Sequence, residues 1–190
     1  MLSENKKDGK MLKAAKLDYN LQQFIDADYT VHSGSCISHQ VHELKDIHEK
    51  FGGFPDSYDL GNTLIRQLWW TREQLDFEEL GAQLGMEVVT VSSILQPPGN
   101  VIPVHRDTFF QIKRAFPDDT RQKVRANMYL EDWHVGEYIQ YQKDKEWHNS
   151  THWKAGEGWL WDSSHLHLSA NAGMTNKYTL QVSGFLVEDQ

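Results

Sequence analysis

From residue 86 onward the chain alternates between short β-prone runs and clusters of turn-forming residues, and that punctuation leaves few folds open. Runs rich in Val, Ile, Leu, Tyr and Trp occupy 86–95, 101–105, 124–131, 137–142, 158–161 and 177–187, with Gly, Pro, Asp and Asn between them. Strands of this length at this spacing predict a sandwich or barrel, and a jelly roll accommodates the pattern. Before residue 86 the signals are mixed. Thr71-Arg72-Glu73-Gln74 has the form of a capping box ahead of LDFEELGAQL, and Gly85 is a stop signal, so a helix is predicted over 72–84. At 190 residues the chain suits one sizeable core rather than two. The expected organisation is a flexible polar tail, 1–10, and one domain over 11–190, helical and mixed to about 85 and β thereafter to 187.

One triplet in the β part carries chemistry. Pro97-Pro98-Gly99 breaks the chain between apolar runs at 88–95 and 101–104, so His105-Arg106-Asp107 falls late in a strand entered from a turn. Residues two apart on a strand point to one side, which lets His105 and Asp107 reach toward one point. A second passage of turn and aromatic strand, Gly156-Glu157-Gly158 then Trp159-Leu160-Trp161-Asp162, leads to His165 and His167. Two imidazoles and one carboxylate make a facial triad, the donor set of non-haem Fe(II) sites with open coordination positions. An isolated H-x-D triplet is a weak signal, and its weight here comes from the turn before it and the histidines after it.

The run L-x-P-P-G-x-x-I-x-x-H-x-D, the later W-D-S-S-H-L-H-L-S-A-N and a basic residue ten positions after the second histidine resemble the aspartyl/asparaginyl β-hydroxylase branch of the Fe(II)/2-oxoglutarate oxygenases. The resemblance covers roughly residues 86–187. It implies a double-stranded β-helix, a cupin-like jelly roll with flanking N-terminal helices. It also implies Fe(II) on the catalytic triad His105, Asp107 and His167, with 2-oxoglutarate and O2 as cosubstrates. The +10 position and the spacing His167-x-x-x-Asn171 favour His167 over His165 as the distal ligand. Lys177 takes the place of the residue that binds the cosubstrate carboxylate. Many relatives carry Arg there, so this chain exchanges a bidentate fork for a point charge with three donors. Thr179, two residues on, matches the second member of the family's R-x-S element, and Arg125, with Asn127 on its face, aligns with a family arginine near the cosubstrate. An intact Asp107 favours hydroxylation over halogenation. The implied reaction is hydroxylation of a C–H bond of an amino acid or peptidyl side chain, with release of succinate and CO2.

Two other functions fit parts of the pattern. A non-catalytic cupin-like metal-binding or sensing protein would keep the barrel and triad, but it needs no anion pocket such as Lys177, Thr179 and Arg125 suggest. An oxygenase acting on nucleic acid would need a basic surface, and the net charge of −8 disfavours one apart from Lys113, Arg114, Arg121, Lys123 and Arg125. The partner expected is an amino acid, peptide or protein substrate, with no membrane; oligomeric state is left open. No apolar stretch marks the N-terminus and Cys36 is the one cysteine, so a cytoplasmic location is expected. His39, His42 and His48 read as a solvated amphipathic helix, and 149–151 between His148 and His152 as a loop. Trp159 and Trp161 read as core, whereas Trp133, Trp147 and Trp153, among polar residues, read as a substrate wall. A lysine in a β-prone strand either faces solvent or meets an anion, and for Lys177 the anion is favoured. Residues 108–123, with Phe109, Phe110 and Phe116, are a candidate lid.

Overall fold

A computed structural model of the protein describes residues 12–30, 33–36 and 43–187. The described strands, in chain order, are β1 (Leu12–Lys16), β2 (Ser33–Ser35), β3 (Leu64–Trp70), β4 (Met86–Gln96), β5 (Val101–His105), β6 (Lys123–Tyr129), β7 (Glu137–Lys143), β8 (Glu146–Ser150), β9 (Glu157–Asp162), β10 (His167–Asn171) and β11 (Lys177–Leu186). Short helices α1 (Gln22–Ile25), α2 (Lys45–Glu49), α3 (Leu60–Thr63), α4 (Phe77–Leu84) and α5 (Phe110–Ala115) connect or flank them. A seven-stranded sheet in the order β1-β9-β6-β11-β4-β3-β2 faces a four-stranded sheet in the order β5-β10-β7-β8. All pairings are antiparallel. This is the double-stranded β-helix, and the six predicted strands all form within two residues of their expected ends. None of the described helices is long and apolar enough to cross a membrane.

The two faces of the larger sheet have opposite character because side chains alternate along a strand. Leu180 and Val182 of β11, Val124, Ala126 and Met128 of β6, Val91 of β4 and Leu160 of β9 point outward. They join Phe24, Leu75, Leu80 and Leu84 in the main hydrophobic core. Each of the larger of these side chains contributes about 1.5–3 kcal/mol on burial, and truncating a Leu or Met among them to Ala costs about 2–5 kcal/mol. The intervening residues Thr179, Gln181 and Ser183 of β11 instead line a cavity between the sheets. Gly158 lets β9 approach β6 closely, since a Cβ there would collide with the carbonyl of Asn127.

Three local expectations are corrected. The helix begins at Phe77 rather than 72, because the Asp76 carboxylate accepts from the backbone N–H groups of Glu78 and Glu79, each at 2.9 Å, and Glu78 and Glu79 lie in the first turn. Thr71 and Gln74 do pair, N–H to Oε1 at 3.0 Å, but they close only the turn before it. Gly85 ends the helix in the left-handed conformation at φ 68°. Residues 149–150 belong to β8, which folds back on β7 through Asp144 and Lys145 at φ 51° and 70°, the two positive angles of a tight hairpin. His48 is buried rather than solvated, with Nε2 3.0 Å from the carbonyl of Val104 and its ring edge-on to Phe54. His39, His42 and the tail lie outside the described residues.

Candidate metal centre

His105 is the last residue of β5 and His167 the first of β10, and the two are direct partners across the antiparallel pair. Their ring centroids lie 4.1 Å apart. Asp107 follows two residues beyond the end of β5 and is almost wholly buried. One ligand atom from each of His105, Asp107 and His167 lies within 4.8 Å of the others. Among the described residues this is the one His/Cys/Asp/Glu group that meets that distance. His165 stays outside it, buried, with Nδ1 3.3 Å from Oδ1 of Asp162.

Both histidines are held in the tautomer that leaves Nε2 free for a metal. Nδ1 of His105 lies 2.9 Å from the carbonyl of Pro103, and Nδ1 of His167 lies 3.1 Å from that of His165. A carbonyl only accepts, so each Nδ1 carries the proton and each Nε2 keeps its lone pair. Enclosure by surrounding atoms pushes His105 down to about 3, with the neighbouring His167 adding to the shift. Burial lowers His167 as well. For Asp107, burial is the largest single influence and acts upward, but the Arg125 guanidinium, His167, His105 and the indole N–H of Trp161 together outweigh it, so the carboxyl sits below its ordinary value. Two neutral imidazoles and an ionised carboxylate are ready to bind a cation without first losing protons.

Arg125 reaches Asp107 from β6, donating from Nη1 to Oδ1, while its Nε donates to Ser183 Oγ at 2.8 Å. Arg125 therefore neutralises Asp107. Asn127, its neighbour on the same face, is buried and its Nδ2 has no partner among the described residues. Asn127 and Thr179 both line a cavity of about 430 Å³ that the triad also borders. Lys177 does not face solvent. It is 2% exposed, and Nζ donates to the carbonyl of Tyr138 at 2.9 Å, to Ser169 Oγ at 2.7 Å and toward the carbonyl of Ala170 at 3.5 Å. Burial pushes this lysine down to about 7, against the opposing charge of Glu137. Its amine stands one layer behind Ser169, which lines the cavity.

The expected tryptophan wall is also corrected. Trp153 is buried and stacked on Tyr129 at 3.9 Å, Trp133 stacks on His152, and Trp147 leans on Phe51 at the surface. Trp69 and Trp161 line the cavity instead. Trp161, expected as core, is fully buried yet donates from Nε1 to Asp107 Oδ2 at 2.7 Å. Residues 110–115 form α5, anchored by Ile112 and by Phe109, a buried non-glycine residue in the left-handed region at φ 52°. Phe110, 57% exposed, lines the cavity at its rim. The basic strip does not form one surface: Arg125 turns inward, Arg121 pairs with Asp119 and Glu87, and Lys123 donates to the carbonyl of Asp119. Gln181, Ser183, Ser169 and Trp69 went unread in the sequence, and Trp161 was read only as core. The alternation in KYTLQVSGF, which puts 179, 181 and 183 on one face, was the available signal for two of them.

No protein-family model matches the chain, and no curated protein matches it. Among solved structures it is similar to a prolyl-4-hydroxylase from Pseudomonas putida, at 19% identity over 87% of this chain and 98% of that one, with a TM-score of 0.50. It is also similar to SnoK, a non-haem α-ketoglutarate-dependent carbocyclase of nogalamycin biosynthesis, at 11% identity over 75% of this chain and 72% of that one, with a TM-score of 0.50. At these identities the likeness establishes the fold, a double-stranded β-helix shared with enzymes of non-haem chemistry, and the chemistry must be argued from the site.

Proposed function

We propose that the protein is an Fe(II)/2-oxoglutarate-dependent oxygenase, of the aspartyl/asparaginyl β-hydroxylase-like branch, that hydroxylates an unactivated C–H bond of an amino acid, free or within a peptide. The observation that carries this reading is the donor set at the cavity: two neutral imidazoles presenting Nε2 and one ionised carboxylate, all within 4.8 Å. That set fits Fe(II) and leaves positions open. His105, Asp107 and His167 would hold the ion. When bound, Fe(II) with 2-oxoglutarate supplies the oxidising power of O2, the cosubstrate being decarboxylated to succinate.

The remaining roles fall to this chain's own side chains. The unpartnered Nδ2 of Asn127 needs an acceptor, since a buried donor left unmade costs about 1–3 kcal/mol. A cosubstrate carboxylate beside it and the Thr179 hydroxyl meets that need. Lys177 adds positive charge from behind Ser169, and a neighbouring dianion favours its protonated form. Arg125 stays with Asp107 and keeps that carboxylate ionised. Trp69 and Phe110, both substantially exposed at the cavity, give the entrance apolar surfaces that shed water when a substrate seats.

The test is anaerobic titration with Fe(II) and 2-oxoglutarate, then exposure to O2 with amino acids, peptides and an oligonucleotide as candidate substrates, following succinate. The reading expects 2-oxoglutarate to bind only the iron-loaded protein, and succinate release to rise with an amino acid or peptide. Iron binding with no affinity for 2-oxoglutarate refutes it and leaves a metal-holding cupin. Stimulation by the oligonucleotide alone moves the substrate to nucleic acid.

A further inference from the structure

Trp161 does something that packing does not require. It is fully buried, a site where an indole N–H needs an acceptor, and the acceptor it has found is Oδ2 of a proposed metal ligand, at 2.7 Å. Its ring also lies against a second ligand, His167, with centroids 4.4 Å apart. Trp161 and Arg125 are direct partners on β9 and β6, and Arg125 and Ser183 are direct partners on β6 and β11. Three adjacent strands thus carry a row, Trp161, Arg125 and Ser183. Trp161 and Arg125 aim at the same carboxylate, and Ser183 steadies the guanidinium.

We propose that Trp161 is a positioning residue that, with Arg125, clamps Asp107 so that the carboxylate is held in one orientation, with Oδ2 toward the metal's place. Each carboxylate oxygen has two lone pairs. Arg125 occupies one on Oδ1 and Trp161 one on Oδ2. Oδ2 is also the oxygen that lies 4.0 Å from Nε2 of His167, so it faces the ion's place. With a donor on each oxygen, rotation of the carboxylate breaks both hydrogen bonds at once. Loss of the indole donor leaves Asp107 pinned through Oδ1 alone, free to turn Oδ2 away from the metal's place. The inference rests on Asp107 being a metal ligand, as proposed above, and extends it to what orients that ligand.

Trp161→Phe retains a ring in the same place and removes the N–H. The probe is Co(II), titrated into wild type, Trp161→Phe, Asp107→Ala and the double variant, with affinity and the visible ligand-field spectrum as readouts. Removing an outer hydrogen-bond partner of a metal ligand costs roughly 10- to 100-fold in affinity. We expect a loss of that size in Trp161→Phe, with an altered spectrum that reports a changed coordination geometry. In the Asp107→Ala background the same substitution should cost nothing further, since the carboxylate it acts through is gone. An unchanged affinity and spectrum, or an equal loss in both backgrounds, reduces Trp161 to packing. A wild-type protein that binds no divalent metal instead overturns the metal site itself. Should Trp161→Phe not fold, 15N-tryptophan labelling of the intact chain decides: one indole N–H signal should shift both on metal binding and in Asp107→Ala, and the absence of such a signal refutes the clamp.

Discussion

Lys177 offers a prediction whose size follows from its surroundings. Its amine is buried, bound by two carbonyls and a hydroxyl and close enough to Glu137 to feel its charge, yet the balance leaves it at about 7 against an ordinary 10.5. Between those values the unfolded chain holds a proton on this lysine and the folded chain does not. Stability therefore rises with pH across the window, because the unfolded state binds more protons. Below about 7 both states are charged and the full cost of burying the ammonium is present; above 10.5 it is gone. One proton's difference gives about 1.4 kcal/mol per pH unit. Urea unfolding of the metal-free protein at about pH 8 and about pH 9 should show wild type gaining roughly that amount relative to Lys177→Met, which lacks the titrating group. Using the difference between the two proteins cancels other groups that titrate nearby. Saturating 2-oxoglutarate with a bound divalent metal should flatten the slope, since a dianion near the amine restores its proton. The same linkage makes 2-oxoglutarate affinity fall with rising pH above about 7, by up to about tenfold per unit. Parallel pH dependence in wild type and Lys177→Met would show that the lysine stays charged in the fold and refute the argument.

His167→Ala should abolish Fe(II) binding, whereas His165→Ala should leave it near the wild-type value; anaerobic iron titration reads both. Lys177→Ala should weaken 2-oxoglutarate by roughly tenfold, through the lost positive charge behind Ser169 rather than a lost hydrogen bond, with little change in iron affinity, and equilibrium binding to the iron-loaded protein checks it. His105 is held neutral in the fold, with its value lowered from 6.5 to about 3. Its contribution is intact above 6.5 and is lost as pH falls toward 3, so acid unfolding of the metal-free protein should be less steep in His105→Gln over that range. If α5 closes over the occupied site, tryptic cleavage at the exposed Lys113 and Arg114 should slow when Fe(II), 2-oxoglutarate and substrate are present without O2; equal rates exclude closure.

What was legible in the sequence is what local chemistry decides. The six β-prone runs announced themselves because their residues favour a pleated surface and their gaps hold turn formers. His105 and Asp107 stood out because they lie at one strand end, with His165 and His167 after a second strand; the choice of His167 between those two came from the family resemblance. What escaped depends on neighbours far away in the chain. HLSAN has no strand signal of its own, yet β10 forms because β5 and β7 each supply a ladder. LKAAK of β1 is ordered by pairing with β9. The helix start was misplaced because two caps competed within six residues, and a carboxylate accepting two N–H groups at a helix N-terminus outmatches the Gln74 side-chain oxygen, which accepts from the Thr71 N–H and closes only a turn.

The site shows the same division at finer grain. Sequence could name Lys177 as a buried cation that needs partners, but only the fold reveals that those partners are protein oxygens belonging to β7 and β10. Likewise Trp161 reads as core from its apolar neighbours, and it is core by burial. Its hydrogen bond to Asp107 exists because the β9–β6 register puts it beside Arg125, 54 residues after the ligand it touches. Ligand identity is written in short spacings, whereas the orientation of those ligands is written in strand register. The carbonyls of Pro103 and His165 obey both: each sits two residues before its histidine, so the fixing of tautomer is local, while the meeting of the two rings requires β5 and β10 to pair. Substitutions that shift the β5–β10 register should therefore destroy metal affinity while leaving each histidine's own hydrogen bond intact.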